Sequence, residues 1–177
     1  MKTTITLIAL TLLIPASARA QDGKLNLSFL DRLAAKASDK QEVTLDRQTL
    51  NSAGSFLPQS AGAARQIISE MQGIYVRNYE FESDNAYTMD DINAIRKQLS
   101  APGWMKIVSN EEKRRTGGFE LQEVYLFQAN GKIGGLVVIS AEPRELSVVN
   151  IVGPIDFSKL GALGGVLGIP KVGDSLK

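Results

Sequence analysis

Residues 121–152, LQEVYLFQANGKIGGLVVISAEPRELSVVNIV, decide the fold of this chain. They contain β-branched and aromatic runs that are separated by turn residues, and the clearest turn is Asn130-Gly131. Asn-Gly is typical of a two-residue type I′ turn, because both central residues of that turn need a positive φ. The continuous apolar run at residues 134–139 favours a central strand that is covered on both sides. With a further run at residues 104–109, the sequence predicts an antiparallel β-meander.

Upstream of the meander, helical and strand patterns alternate. Apolar residues at helical spacing predict helices over residues 29–37, 47–57, 63–71 and 88–99. Runs of β-branched and aromatic residues predict strands over residues 41–45 and 74–81. The last helix has the clearest start, because Thr88 and Asp91 have the spacing of a capping box.

This order favours an α+β fold, a two-layer sandwich with a mostly antiparallel sheet, a C-terminal β-meander and helices covering one face. We expect a single domain over residues 21–177, because that length is typical of one compact core. The last residues, 171–177, are expected to form a flexible tail.

The N-terminus has the pattern of a secretory signal peptide over residues 1–20. Lys2 supplies a positive charge, residues 5–14 are apolar, and residues 18–20 form a small-x-small cleavage site. We therefore expect cleavage before Gln21 and a mature protein that is periplasmic or secreted. No later run approaches the roughly 18 apolar residues of a spanning helix, and no Cys is available for lipidation. We expect neither a transmembrane segment nor a lipid anchor in the mature chain.

Composition excludes several chemistries. The chain has no His and no Cys, which rules out disulfides, thiolate nucleophiles, Ser-His-Asp triads and zinc sites held by Cys or His. Loss of the leader takes Lys2 and Arg19 from the 20 basic residues and leaves 18 against 19 acidic residues. A nucleic acid partner is not expected, because binding phosphates needs a basic excess. We expect no cofactor, and a protein that is not an enzyme.

Carboxylates are concentrated in one segment, at Glu80, Glu82, Asp84, Asp90 and Asp91. Outside the cell, Ca²⁺ is the cation that such oxygens would bind. The segment lacks the central Gly and the bidentate Glu of an EF-hand loop, so the alternative is a solvated strand end before an acidic helix start. A pair such as Glu80 and Glu123 could carry out glycosidase-type acid and base catalysis. We assign no catalytic or metal-binding residues from the sequence.

Four tyrosines are candidates for an aromatic face that binds a glycan or a peptide: Tyr75, Tyr79, Tyr87 and Tyr125. Strands also use aromatic rings for packing, and we expect Trp104 and Phe127 in the core.

Two further segments could bind anions. The basic run at residues 113–115 could dock an anionic surface, and its alternative is a solvated loop tip. A Gly-rich segment at residues 161–168 follows a short helix expected after Asp156. It could cradle phosphate, but the Lys-Ser/Thr of a P-loop is missing, so a flexible loop is the better interpretation.

Six short stretches follow one another in a fixed order along the chain: residues 30–33, 73–77, 101–104, 124–126, 134–139 and 146–156. Their order resembles the bacterial secreted proteins of the domain of unknown function 4252 (DUF4252) family. The resemblance implies an exported or envelope protein of Gram-negative bacteria, with no assigned activity and no catalytic residues to transfer. Some members look like lipoproteins, and this chain departs from them because it lacks the Cys.

Three functional hypotheses follow. The first is a non-enzymatic envelope interaction or ligand-binding module whose partner is an envelope protein. The second is a carboxylate-based hydrolase or calcium-dependent protein built on residues 80–91. The third is an accessory of envelope stress signalling. The sequence does not indicate an oligomeric state.

Overall fold

A computed structural model describes residues 23–56, 62–113 and 118–155. The strands, in chain order, are β1 Asp39–Asp46, β2 Gly73–Glu80, β3 Trp104–Lys113, β4 Phe119–Ala129, β5 Lys132–Glu142 and β6 Glu145–Val152. The helices are α1 Asp31–Ala34, α2 Arg47–Phe56, α3 Gly62–Glu70 and α4 Met89–Leu99, and a 3-10 turn at Ser28–Leu30 precedes α1. The expected leader, the short helix after Asp156, the Gly-rich segment and the C-terminal tail lie outside the described residues.

The six strands form one antiparallel sheet in the order β1-β2-β6-β5-β4-β3. Strands β3 to β6 are sequential neighbours, which confirms the meander. The turn between β4 and β5 has a positive φ at both Asn130 (52°) and Gly131 (73°), as the sequence predicted. Strand β5 lies inside the sheet, between β4 and β6.

Side chains on the two faces of the sheet belong to two apolar clusters. On the α4 face, Ile92 and Ile95 pack with Val137, Ile139 and other strand residues. On the α2–α3 face, Leu50 of α2 and Ile68 of α3 join the cluster of Ile74 and Val76. The α+β sandwich is therefore confirmed, but the expectation of helices on one face is wrong, because α2 and α3 pack on the face opposite α4. This happens because β5 and β6 are apolar on both sides and need cover on both.

The residues before α1 are part of the core. Leu25 and Leu27 are buried. The fully buried Asn150 of β6 holds this segment, because its side-chain oxygen accepts the Leu25 N–H at 2.9 Å and its amide nitrogen donates to the Gly23 carbonyl at 3.0 Å. A buried amide needs such partners, and here the backbone of a distant segment supplies them.

Element boundaries differ from the sequence prediction mainly at the ends. The first helix is shorter than residues 29–37, because a 3-10 turn and a single α-turn replace it. Strand β3 continues four residues beyond Ser109 to Lys113, because β4 pairs with it along its length. Trp104 and Phe127 do pack together, with ring centroids 5.2 Å apart. Within the described ranges, no helix is long and apolar enough to cross a lipid bilayer.

Gly131→Val tests the turn between β4 and β5. A Cβ at this position would meet no atom within 4 Å, so the cost comes from forcing a β-branched residue to a positive φ. We expect the free energy of unfolding to fall by about 1 kcal/mol or more, measured by urea denaturation. Gly131→Asn is the matched control and should lose less, because Asn tolerates the left-handed region. Equal stability of the Val variant and the wild type would contradict this turn.

Candidate functional site

The four candidate tyrosines do not form an exposed face. Tyr75, Tyr79, Tyr87 and Tyr125 are all buried in the cluster on the α4 face. Each ring adds apolar area to the core, while the Tyr79 hydroxyl donates to Glu42 at 2.8 Å and the Tyr125 hydroxyl donates to Glu123 at 2.9 Å. Burial raises the pKa of Tyr79 and Tyr87 well above the ordinary value of 10.0. In this structure the four rings belong to the core and do not form a continuous exposed face.

The acidic segment is dispersed by the fold. Asp91 is buried, accepts the Thr88 backbone N–H at 2.9 Å as the capping box predicts, and forms an ion pair with Arg32. Asp84 pairs with Arg144 at 2.7 Å. In the part of the chain that the structure describes, no three Asp or Glu residues are arranged to hold a metal ion.

Glu80 and Glu123 cannot act as a pair, because they lie on opposite faces of the sheet. Glu123 shares the α4 face with Tyr125, two residues along the same strand, and is fully buried. Glu80 follows Tyr79, whose ring is on the α4 face, and therefore points to the other side. The catalytic hypothesis loses the residue pair on which it was based.

Glu123 is the centre of a buried ion network. Arg96 of α4 binds both of its carboxylate oxygens, at 2.9 and 3.1 Å, and Lys106 of β3 binds one of them. Arg96 also pairs with Glu111 at 3.1 Å. Burial alone would raise the pKa of Glu123, but the bonds from Arg96, Lys106 and Tyr125 outweigh it and lower the pKa. Two cations thus compensate two carboxylates, and the network joins α4 to the sheet.

The α2–α3 face is ordered by polarity, because the strand register places residues of like chemistry side by side. Four rows run across the strands. The aliphatic row is Leu45, Ile74, Ile151, Leu136, Leu126 and Met105. The valine row is Val43, Val76, Val149, Val138, Val124 and Val108. The polar row is Gln41, Asn78, Ser147, Ser140, Gln122 and Asn110. The acidic row follows.

The acidic row contains one carboxylate from each strand: Asp39, Glu80, Glu145, Glu142, Glu120 and Glu112. Among the described residues, no ion pair joins Glu142 or Glu145. Burial raises the pKa of Glu145, and the neighbouring charges of Glu142 and Glu80 raise it further. The carboxylates of Glu80, Glu142 and Glu145 therefore repel one another, and this repulsion should appear in the pH dependence of stability.

Part of this face is open to solvent, on strands β3, β4 and β5. Here the polar row and the acidic row line a shallow cavity of about 630 Å³. The valines next to the polar row on these strands, Val108, Val124 and Val138, are half-buried, in contrast to the buried Val76 and Val149 of the same row. We call these nine residues the open grid: Val108, Val124, Val138, Asn110, Gln122, Ser140, Glu112, Glu120 and Glu142.

Sequence reasoning missed the open grid. The alternation within each strand was visible, for example Glu120, Gln122 and Val124, but the rows depend on the register between strands. Bulges at Ile107 of β3 and at Gly134 of β5, which lies opposite the step from Phe127 to Gln128 of β4, each shift that register by one residue. If residue pairs are assigned from the Asn130-Gly131 turn as though the strands had no bulges, the partners beyond each bulge are off by one residue.

Arg96→Met tests the ion network. It leaves the buried Glu123 with Lys106 as its remaining cation, so we expect the free energy of unfolding at neutral pH to fall by about 2 kcal/mol, measured by urea denaturation. The pKa of Glu123 is lower in the native state than in the unfolded chain, so the ionised carboxylate stabilises the native state at neutral pH. This stabilisation is lost as the pH falls below about 4.5. The wild type should therefore lose more stability in acid than the variant. Lys97→Met on the same helix is the control, and an equal loss in both variants would contradict the network.

Glu145→Gln tests the acidic row. The raised pKa of Glu145 means that the native state binds its proton more tightly than the unfolded chain, so stability falls as the pH rises past about 4.5. We expect the variant to be more stable than the wild type at pH 7 by about 0.5 kcal/mol, and the difference to shrink in acid, by thermal denaturation. Glu82→Gln, outside the row, should have no such pH-dependent gain. A gain from Glu145→Gln that is independent of pH would count against repulsion.

Comparison with known proteins places the whole sheet within one family. The family model described as Domain of unknown function (DUF4252) matches residues 35–163, which include all six strands and every row of the α2–α3 face. No curated protein matches the chain with significant similarity. The resemblance seen in the sequence is confirmed, and the chain belongs to the DUF4252 family.

Proposed function

We propose that the protein is an exported, non-enzymatic binding module of the bacterial envelope, and that the open grid is its contact surface for an envelope protein. One observation carries this proposal: the fold leaves a concave, polarity-ordered part of the sheet accessible on β3, β4 and β5. On the same face, Ile74, Val76 and Val149 belong to the buried cluster that α2 and α3 cover.

The surroundings of the open grid support a contact with another protein. Met105 and Ile107 of β3 are 51% and 47% exposed, and Met105 continues the aliphatic row beside the grid. Exposed apolar side chains next to a polar rim are typical of protein interfaces. The first functional hypothesis from the sequence is therefore the one that the geometry favours.

The carboxylates argue for binding over hydrolysis. Glu123 is neutralised by Arg96 and Lys106 and has no access to a substrate. In the acidic row, the strand register places Glu112 opposite Glu120 and Glu142 opposite Glu145. The exposed Glu112 and Glu142 give this end of the face negative charge, which favours recognition of a charged group.

A site-specific crosslinking experiment tests the proposal. A photo-crosslinking amino acid replaces Gln122 at the centre of the open grid, and in a matched protein it replaces Lys97, which is exposed on α4. Both proteins are expressed with their leader in the native host and irradiated in intact cells. We expect a discrete, saturable adduct with an envelope protein from position 122 and none from position 97.

Two further outcomes decide against parts of the proposal. Adducts of the same pattern from both positions would contradict the open grid as the contact surface. Retention of the uncleaved protein in the cytoplasm, detected by fractionation, would contradict export.

A further inference from the structure

We infer that residues 156–169, which we call the C-terminal segment, pack on the α2–α3 face and cover the aliphatic row on β3, β4 and β5. The segment lies outside the described residues. Three features point to this position: the apolar surface at that end of the face, the point at which the described chain stops, and the composition of the segment. The contact needs no partner protein and is therefore independent of the proposed function.

The apolar part of the α2–α3 face extends beyond the side chains that are buried there. Leu136 and Leu126 of the aliphatic row are buried, whereas Met105, the next residue of that row, is 51% exposed. Ile133 and Val124 are half-buried and pack against the same apolar cluster. A cover over this end of the row would remove apolar surface from water, which stabilises the folded state.

The described chain stops beside this surface. After β6, the Gly153 N–H donates to the Gly134 carbonyl at 2.9 Å. The Ile155 N–H then donates to the Ile133 carbonyl at 3.3 Å, so the chain follows the start of β5. The side chain of Ile155 packs against the apolar cluster of the α2–α3 face. The C-terminal segment therefore begins next to the surface that it would cover.

The length of the segment is sufficient for this contact. Met105 of β3 lies two strands away from Ile133 of β5, or roughly 10 Å at the usual strand spacing. Residues 156–163 would span about 12 Å as a helix and more if extended. The family model also continues past the end of β6 to residue 163, so the first part of the segment belongs to the family domain.

The composition of the segment fits an apolar cover. Only two of the fourteen residues 156–169 are charged. Large apolar side chains recur at every third residue near its start, at Phe157, Leu160 and Leu163, which is a spacing that groups them on one side of a helix. A segment of this kind exposes apolar side chains to water unless it packs against another apolar surface, and such a surface lies where the described chain stops.

The polar row remains outside the cover. It lies four residues along each strand from the aliphatic row, or about 13 Å, which exceeds the radius of a helix, about 6 Å. The centre of the open grid at Gln122 therefore stays accessible to the partner proposed above. Met105 would be covered, so a partner on the grid would contact the C-terminal segment at this border.

Engineered disulfides test the contact, and the chain has no Cys that could interfere. In the purified protein, Met105→Cys is combined in turn with Phe157→Cys, Leu160→Cys or Leu163→Cys. In the matched pairs, Lys97→Cys on the exposed side of α4 replaces Met105→Cys. Disulfide formation in dilute protein is followed by non-reducing electrophoresis. We expect at least one Met105 pair to close about tenfold or more faster than its Lys97 counterpart, because docking raises the local thiol concentration.

A stability measurement tests the same contact without cysteines. Phe157→Ser should lower the melting temperature by about 4 °C or more, because a buried ring is lost from the cover. Phe56→Ser makes the same exchange at a side chain that is 87% exposed, and it should leave the melting temperature within about 2 °C.

Three results would overturn the inference: equal closure rates for the Met105 and Lys97 pairs, disulfides that form only between two molecules, or equal melting temperatures for Phe157→Ser and the wild type. Disulfides between molecules would identify a second copy of the chain as the occupant. None of these results changes the adduct expected from position 122 in cells. The proposed function therefore stands or fails on that adduct alone.

Discussion

The antiparallel register of the six strands is the constraint on which the rest of the structure depends. A slip of one residue in any strand would move its apolar side chains from one face to the other. The same register aligns valine with valine and glutamate with glutamate across the sheet. The core and the open grid are therefore two results of one arrangement, and a sequence change that alters the register would affect both.

Local signals in the sequence were sufficient to predict much of the fold. Asn130-Gly131 marks the hairpin because few residues accept a positive φ, and Thr88 and Asp91 mark the start of α4 because their side chains serve its free N–H groups. These features depend on neighbours within a few residues. They can be predicted because no distant part of the chain is needed to satisfy them.

The site could not be predicted because its parts depend on distant contacts. A bulge at Gly134 of β5 sets which residue of that strand faces Val124. The pair Gly134-Gly135 is compatible with a bulge, but only the pairing with β4 shows that one forms and which way the register shifts. The tyrosines had the composition of a binding face, but their hydroxyls find buried partners such as Glu42 on another strand. Glu123, which the sequence suggested as a catalyst, is held by an arginine of α4. In both cases a side chain that the sequence allows at the surface packs in the core, and only tertiary contacts distinguish the two positions.

The bonds between Asn150 and the segment at residues 23–25 join the start of the described chain to its last strand. Strand β2 likewise finds its second neighbour only in β6. Such long sequence separations give a high contact order, so folding is slow and cannot be completed until residue 152 is available. A chain interrupted before β6 would therefore lack both the anchor of its first described segment and the second neighbour of β2.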